Sequence, residues 1–341
     1  MTFSQIISDL KAGKYAPVYF LHGDESYYID KISSYIQEHA LDESEKAFNL
    51  HVLYGKDTEK RALLAMARRF PMMAKRQVVI VREAQDLKNL IPKSEAEKEK
   101  DILMDYIVNP VPSTVLVLCH KYKTIDKRTK LAKAIEKNSV LFESKKLYDN
   151  KIPDWITDYI HGRKYKINPR TAVMLSEFLG NDLTLISNEL EKLMLNVNAG
   201  AEITDAHIEM YIGVSKDYNN FELQNALGNK DVLKANRIIS YFASNPRNNP
   251  LVVTLGTLFS YFSKILVYHS LKEKTRASVA SSLGINPYFA DEYMNAAKKY
   301  PREKVHLIIS DLHQYDLKSK GVDSNAEDGE LLRELVFKIL H

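Results

Sequence analysis

The residues best placed to bind a nucleotide stand directly after the first apolar run of the chain. Val18–Leu21 is followed by the sequence HGDESYY at residues 22–28. A nucleotide-hydrolysing α/β domain carries a glycine-rich loop here, with a lysine for the phosphates and a Ser or Thr for Mg²⁺. Residues 22–28 contain one glycine and no lysine, and Asp24 and Glu25 would repel phosphate. We therefore predict that no nucleotide binds here, and that Asp24 or Ser26 caps the following helix.

A second position carries the wrong charge for nucleotide hydrolysis. The apolar run Val78–Val81 ends in Arg82-Glu83. A hydrolysing domain ends this strand in Asp-Glu, because carboxylates organise Mg²⁺ and the attacking water. The sequence also contains no G-x-G, H-E-x-x-H or G-x-S-x-G motif. We predict no intrinsic active site, no catalytic residue, no cofactor and no metal site.

The segment Arg68–Arg76, RRFPMMAKR, sets three large apolar side chains among basic residues. Pro71 disfavours helix at the preceding residue, so the segment is predicted to be a connection after a helix. Phe70 continues the apolar face of that helix, and a core position is the simpler interpretation. The two methionines lie beyond the end of the helix, where burial is harder, and methionine is the adaptable side chain of binding surfaces. A core role and a binding role both stay open from these residues alone.

The elements that would position these residues alternate between strand and helix signals over the first 145 residues. Helical patterns lie near residues 28–36 and 58–69, and the charge run Lys93–Lys100 is predicted to be a solvated loop or the start of a helix. Short apolar strands separated by helices predict a parallel sheet covered on both faces. The predicted strands are Val18–Leu21, Phe48–Tyr54, Val78–Val81, Val115–Cys119 and Val140–Phe142.

After Tyr148 the strand signals stop and only helices are predicted. Helix starts are indicated near Ile152, at Asn168-Pro169 and at Thr204 or Asp205. Leu183, Ile186, Leu190 and Leu193 repeat at helical spacing, and breaks fall at Asn245–Pro250 and Ile285–Pro287 before a final amphipathic helix, 331–340. The predicted plan is an α/β domain over 1–145, a small helical domain over 146–213 and a larger helical domain over 214–341.

Composition and charge narrow the classes of function. The chain has 341 residues, 45% apolar and 27% charged, without a long unbroken apolar run or a signal-peptide pattern, so we expect a cytoplasmic protein without a membrane span. Residues 1–145 hold 24 basic and 20 acidic side chains, 146–212 hold 7 and 10, and 213–341 hold 17 and 14. These weak imbalances argue against an independent high-affinity DNA binder. Cys119, the single cysteine, is predicted to be a buried thiol, and His51, His161 and His207 to be surface or half-buried residues.

Five stretches spread over nearly the whole chain resemble the delta subunit of bacterial DNA polymerase III, the clamp-opening subunit of the sliding-clamp loader. The FPMMAKRQVVIV and LGNDL…NELEKL pieces together are specific evidence for this resemblance, whereas YDLKSKG alone is weak evidence. The stretches are PVYFLHGDESYYID, RRFPMMAKRQVVIVREAQ, LYDNKIPDWI, GNDLTLISNELEKL and YDLKSKG.

The resemblance implies an AAA+-type fold: a RecA-like parallel-sheet domain with a degenerate nucleotide site, a helical lid and a helical collar. It implies that Phe70, Met72 and Met73 bind the sliding clamp (the beta subunit). It also implies clamp-loader partners, the gamma/tau ATPase and delta-prime subunits, with primed DNA in the complex and no membrane. ATP turnover would belong to the partners, and the DNA polymerase (nucleotidyltransferase) activity to the holoenzyme alone. Two alternatives stay open, a divergent nucleotide-binding enzyme and a stand-alone DNA-binding module.

Overall fold

The computed structural model describes residues 1–88, 90–91, 101–213, 215 and 217–341. They form two compact units, Met1–Leu147 and Tyr148–His341. The charge run Lys93–Lys100 lies outside the described residues. The division of the second unit into residues 146–213 and 214–341 stays a prediction.

The first unit is built on a parallel sheet, as the sequence predicts. Each predicted strand is present, and neighbouring strands in the order β2-β3-β4-β1-β5 are all parallel. One strand start differs from the prediction: Phe48 is in a helix, and the strand begins at Leu50. The strands are β1 (Val18–Gly23), β2 (Leu50–Tyr54), β3 (Gln77–Arg82), β4 (Thr114–Lys121) and β5 (Val140–Ser144).

Helices cover both faces of this sheet because its side chains alternate between two cores. The helices described in this unit are α1 (Phe3–Lys11), α2 (Ser26–His39), α3 (Glu43–Asn49), α4 (Lys60–Ala67), α5 (Ile102–Val108) and α6 (Lys130–Asn138). On β3, Val79 and Val81 share a core with α4, α5 and α6, whereas Val78 and Ile80 share one with α1 and α2. α4 is shorter than predicted and ends at Ala67, so residues 68–76 form a connection into β3.

The second unit is helical, with one small exception. Two-residue strands, β6 (Lys166–Ile167) and β7 (Glu202–Ile203), pair in parallel. The expectation of helices alone after Tyr148 was therefore wrong at this point, since a two-residue strand is too short to show alternation. The helices are α7 (Ile152–His161), α8 (Pro169–Leu179), α9 (Leu183–Met194), α10 (Asp205–Tyr211), α11 (Asn220–Asn229), α12 (Val232–Ser244), α13 (Leu251–Ser270), α14 (Arg276–Leu283), α15 (Ala290–Lys299), α16 (Arg302–Ser319) and α17 (Asp328–Leu340).

Helix α13 is long and apolar enough, by length and composition, to cross a membrane. The sequence-based expectation missed it because scattered Thr, Ser, Gly and Lys residues interrupt the apolar run. One face of the helix, which includes Leu255, Leu258 and Phe262, lies in the core of the second unit. Soluble core helices have this composition too, so the helix by itself is weak evidence for a membrane span.

Candidate functional site

The turn after β1 occupies the place of a phosphate-binding loop, and its backbone is engaged with neighbouring strand ends. The Gly23 N–H donates to the carbonyl of Lys123 at 3.2 Å, and the Glu25 N–H donates to the carbonyl of Ser144 at 3.3 Å. The Ser144 hydroxyl donates to the Glu25 carbonyl at 2.7 Å. Gly23 has φ of 128°, and a Cβ there would lie 2.0 Å from the Ser144 carbonyl oxygen. Two N–H groups that a phosphate-binding loop would aim at its ligand are therefore already bonded within the protein.

The cap of the helix after this turn differs from the prediction. The N-cap residue of α2 is Glu25, neither Asp24 nor Ser26, and its carboxylate accepts from the Tyr27 N–H at 3.0 Å. Glu25 is buried because the turn folds back against Ser144. The sequence prediction was wrong because Ser and Asp are the commoner caps, and the turn shifts the helix start by one residue.

Two buried histidines at the carboxyl ends of β1 and β4 were not predicted as site residues from the sequence. His22 and His120 pair in register across these strands and are both buried. Within the described part of the chain, neither ring nitrogen of His22 has a hydrogen-bond partner. Burial lowers the pKa of His22 to about 4, so the ring is neutral at pH 7. The one sequence signal for His22 was its position between the apolar run Val18–Leu21 and Gly23.

The charged side chains at the ends of β3 and β4, Arg82 and Lys121, have polar partners within the protein. Arg82 donates to the Gln37 side-chain oxygen at 2.9 Å. The Lys121 ammonium lies 2.8 Å from Asp30 and 3.4 Å from Glu83. No group of three or more His, Cys, Asp or Glu residues that could hold a metal ion is found among the described residues. Lys121 therefore forms ion pairs with Asp30 and Glu83 at this edge of the sheet, whereas Arg82 binds a neutral amide, and its Nε has no hydrogen-bond partner among the described residues.

Cys119 is buried in β4, as predicted from its apolar run. Burial raises the pKa of its thiol to about 12, so the thiolate needed for nucleophilic chemistry is scarce at neutral pH. The three histidines singled out from the sequence, His51, His161 and His207, are exposed or half-buried, as predicted.

The connection over residues 68–76, which we call the apolar loop, exposes its largest side chains. Phe70 is 82% exposed, Met72 62% and Met73 102%. The core interpretation of Phe70 is therefore wrong, because the chain leaves the helical face of α4 before residue 70. Met73 has φ of 52°, a left-handed backbone conformation that is uncommon for a residue with a side chain. The loop therefore presents apolar side chains to solvent from a strained backbone.

Buried amide side chains hold the backbone of the apolar loop. Asn49, at the end of α3, accepts from the Met72 N–H at 2.7 Å and donates to the Met72 carbonyl at 2.9 Å. Gln77, at the start of β3, donates to the carbonyl of Arg69 at 2.6 Å. Neither amide was predicted from the sequence, because nothing local links residue 49 to residue 72.

The basic side chains of the apolar loop differ in their surroundings. Arg68, Arg69 and Lys75 are exposed. Arg76 is half-buried, and its guanidinium lies 4.4 Å from the centre of the Tyr15 ring. Three of the four cations are therefore free to act on an approaching partner through long-range attraction, whereas Arg76 packs within the fold.

Comparisons with known proteins agree on one family. The family model described as "DNA polymerase III, delta subunit" matches residues 19–145, and that of the same subunit's C-terminal domain matches residues 217–337. The chain is 29% identical to DNA polymerase III subunit delta of Bacillus subtilis (strain 168) over 328 residues, 96% of this chain and 93% of that protein. It resembles the solved structure of the Bacillus subtilis DNA clamp loader delta protein (YqeN), with a TM-score of 0.56, 26% identity and 99% coverage of each chain.

Proposed function

The chain belongs to the family of DNA polymerase III delta subunits, and from this premise we propose that it binds and opens the DNA sliding clamp. Partner ATPase subunits of the clamp loader then place the clamp on primed DNA during replication. Membership in the family supports the general role as a clamp-loader subunit. The exposure of Phe70, Met72 and Met73 on one loop is the observation that carries the proposal for clamp binding.

The apolar loop is the clamp-binding element in this proposal. Solvent-exposed apolar side chains on one short loop are unfavourable unless a partner covers them, and clustered anchors in a pocket concentrate binding energy. Phe70, Met72 and Met73 would enter an apolar pocket on the clamp, with Arg68, Arg69 and Lys75 at the rim. The clamp then opens because the loader subunit binds the distorted clamp better than the closed one.

The strand-end turn supports a subunit that leaves ATP chemistry to its partners. The Gly23 and Glu25 N–H groups are bonded to neighbouring strand ends, and Arg82 stands where a metal-binding carboxylate would be needed. ATP turnover then belongs to the gamma/tau subunits. Polymerase activity belongs to the holoenzyme as a whole, in the cytoplasm.

The finer domain plan is part of the same proposal. Residues 1–145 act as the RecA-like domain of an AAA+-type fold, 146–213 as the lid and 214–341 as the collar that joins the gamma/tau and delta-prime subunits. On α13, Leu255, Leu258 and Phe262 lie in the core of the second unit and are not available for subunit contacts. Phe259 remains exposed, as do Val252 and Val253 on the same helix, so these are the residues we propose for subunit contacts.

A two-part experiment tests the proposed function. The purified chain is first titrated against the host's sliding clamp without any other subunit. The clamp is then assembled on circular DNA, the chain is added without ATP, and release of the clamp is followed over time. We expect submicromolar binding and faster clamp release. Failure to bind would refute the proposal as a whole, whereas binding without release would refute the opening step.

A further inference from the structure

The apolar loop is fixed at two points that lie side by side at the amino edge of the sheet. Asn49 directly precedes Leu50 of β2, and Gln77 directly precedes Val78 of β3; Leu50 and Val78 are partners in the parallel register. The two amide side chains therefore start from neighbouring positions on adjacent strands. Each reaches a different part of the same loop, Met72 and Arg69.

The contact between Asn49 and Met72 resembles one rung of a β-ladder. One side-chain amide satisfies both the N–H and the carbonyl of Met72, the residue directly before the left-handed Met73. Asn49 also donates to the Glu45 carbonyl at 3.0 Å, a bond within its own helix end. Because Asn49 is 1% exposed, water competes poorly for these bonds.

The contact at Gln77 anchors the other end of the loop to the sheet. The Gln77 backbone N–H donates to the Ser113 carbonyl at 2.8 Å, which fixes the residue itself. Its side-chain nitrogen lies 2.6 Å from the Arg69 carbonyl and 2.8 Å from the Thr114 hydroxyl oxygen, which in turn donates to the Ala67 carbonyl at 2.8 Å. The exit from α4 is thus tied to the strand beside it.

We infer that Asn49 and Gln77 are positioning residues that hold the apolar loop in its binding conformation before a partner arrives. This inference rests on the proposed function of the loop. On a flexible loop, exposed apolar side chains would turn inward or sample many conformations. The conformational entropy lost when a partner orders them would weaken the affinity. A loop already held at Arg69 and Met72 avoids much of that loss, and strain at Met73 is maintained by the neighbouring amide.

The test uses one variant at each anchor and a matched control. Asn49→Leu keeps the branched shape of the side chain but removes its bonds to Met72 and Glu45. Gln77→Met keeps an unbranched chain of similar length but removes the bonds to Arg69 and Thr114. The control is Asn138→Leu: Asn138 also ends a helix and donates to the carbonyl four residues earlier at 3.0 Å, and no hydrogen bond from it to the loop is found among the described residues. Amide hydrogen exchange over residues 68–76, melting temperature and the clamp association rate are measured on each protein.

We expect both anchor variants to speed exchange in the loop and to weaken clamp binding about 10- to 100-fold, the effect of one or two buried hydrogen bonds. The loss should fall largely on the association rate, and Asn138→Leu should match the parent chain in both respects. The effect of Asn49→Leu on binding should also shrink when Phe70 and Met73 are already alanine, because the anchor acts through them.

The outcomes separate this inference from the proposed function. If the parent chain fails to bind the clamp, the proposed function is refuted and this inference falls with it. If the parent binds but either anchor variant that retains its fold keeps its affinity within about twofold, the positioning role is overturned while the proposed function stands. Unchanged hydrogen exchange in the loop of both variants would also overturn it. If Asn49→Leu does not fold, Gln77→Met alone decides.

Discussion

The double substitution Phe70→Ala with Met73→Ala separates binding from stability most sharply. In the free chain these side chains are 82% and 102% exposed, so removing them should change the free energy of unfolding by about 0.5 kcal/mol or less. In a clamp pocket each would be desolvated, at ~1.5–3 kcal/mol apiece. Losing both should therefore cost roughly 3–6 kcal/mol of binding, a weakening of ~100-fold or more.

The assay measures clamp affinity by surface plasmon resonance and melting temperature by calorimetry on the same preparations. Leu195→Ala is the matched control, because Leu195 is 87% exposed but lies in the second unit. It should leave both readouts unchanged. A double variant that melts several degrees lower yet binds with unaltered affinity would contradict this prediction, since it would place the two side chains in the core of the fold.

Three further measurements address the rest of the molecule. The isolated chain should show no micromolar binding of labelled ATP with Mg²⁺, and such affinity would restore a nucleotide site. Arg68→Ala, Arg69→Ala and Lys75→Ala together should slow clamp association severalfold at low salt, with the difference vanishing at high salt; equal slowing at both would contradict a rim role. His22 stays neutral in the fold to about pH 4, whereas the unfolded chain protonates it near pH 6.5. Stability should therefore be full above pH 6.5 and fall by up to about 3 kcal/mol towards pH 4; urea unfolding of His22→Met should show a flatter pH dependence, and an equally steep one would contradict the assignment.

Local patterns predicted most of the elements correctly, because each depends on residues close together in the chain. Asn168 caps α8 with Pro169 in its first turn, and Thr204 caps α10 through a reciprocal pair with His207. The four apolar residues predicted to share one face of α9 are all buried, as are the six in the final helix: Leu183, Ile186, Leu190, Leu193, Leu331, Leu332, Leu335, Val336, Ile339 and Leu340. Spacing alone carries this information.

Features that depend on residues far apart in the chain could not be predicted from the spacing of residue types. Glu25 replaces the commoner caps because Ser144, far along the chain, closes the turn in front of it. The pairing of Asn49 with Met72 spans 23 residues and leaves no periodic trace. Exposure of Phe70 was undecided for the same reason, since the α4 pattern continues through it. The fold shows that α4 ends at Ala67, two residues before the predicted end of the helix.

The apolar loop and the usual ligand-binding edge of a parallel sheet lie at opposite ends of the strands. Open parallel sheets bind ligands at the carboxyl ends of their strands, and there Gly23, Lys121 and Ser144 engage one another or neighbouring charges. The loop lies at the opposite edge, where Asn49 directly precedes β2 and Gln77 begins β3. Chemistry can therefore be lost at one edge without disturbing the anchors at the other. In the proposed function, the helix-covered parallel sheet therefore serves as a rigid support for the apolar loop.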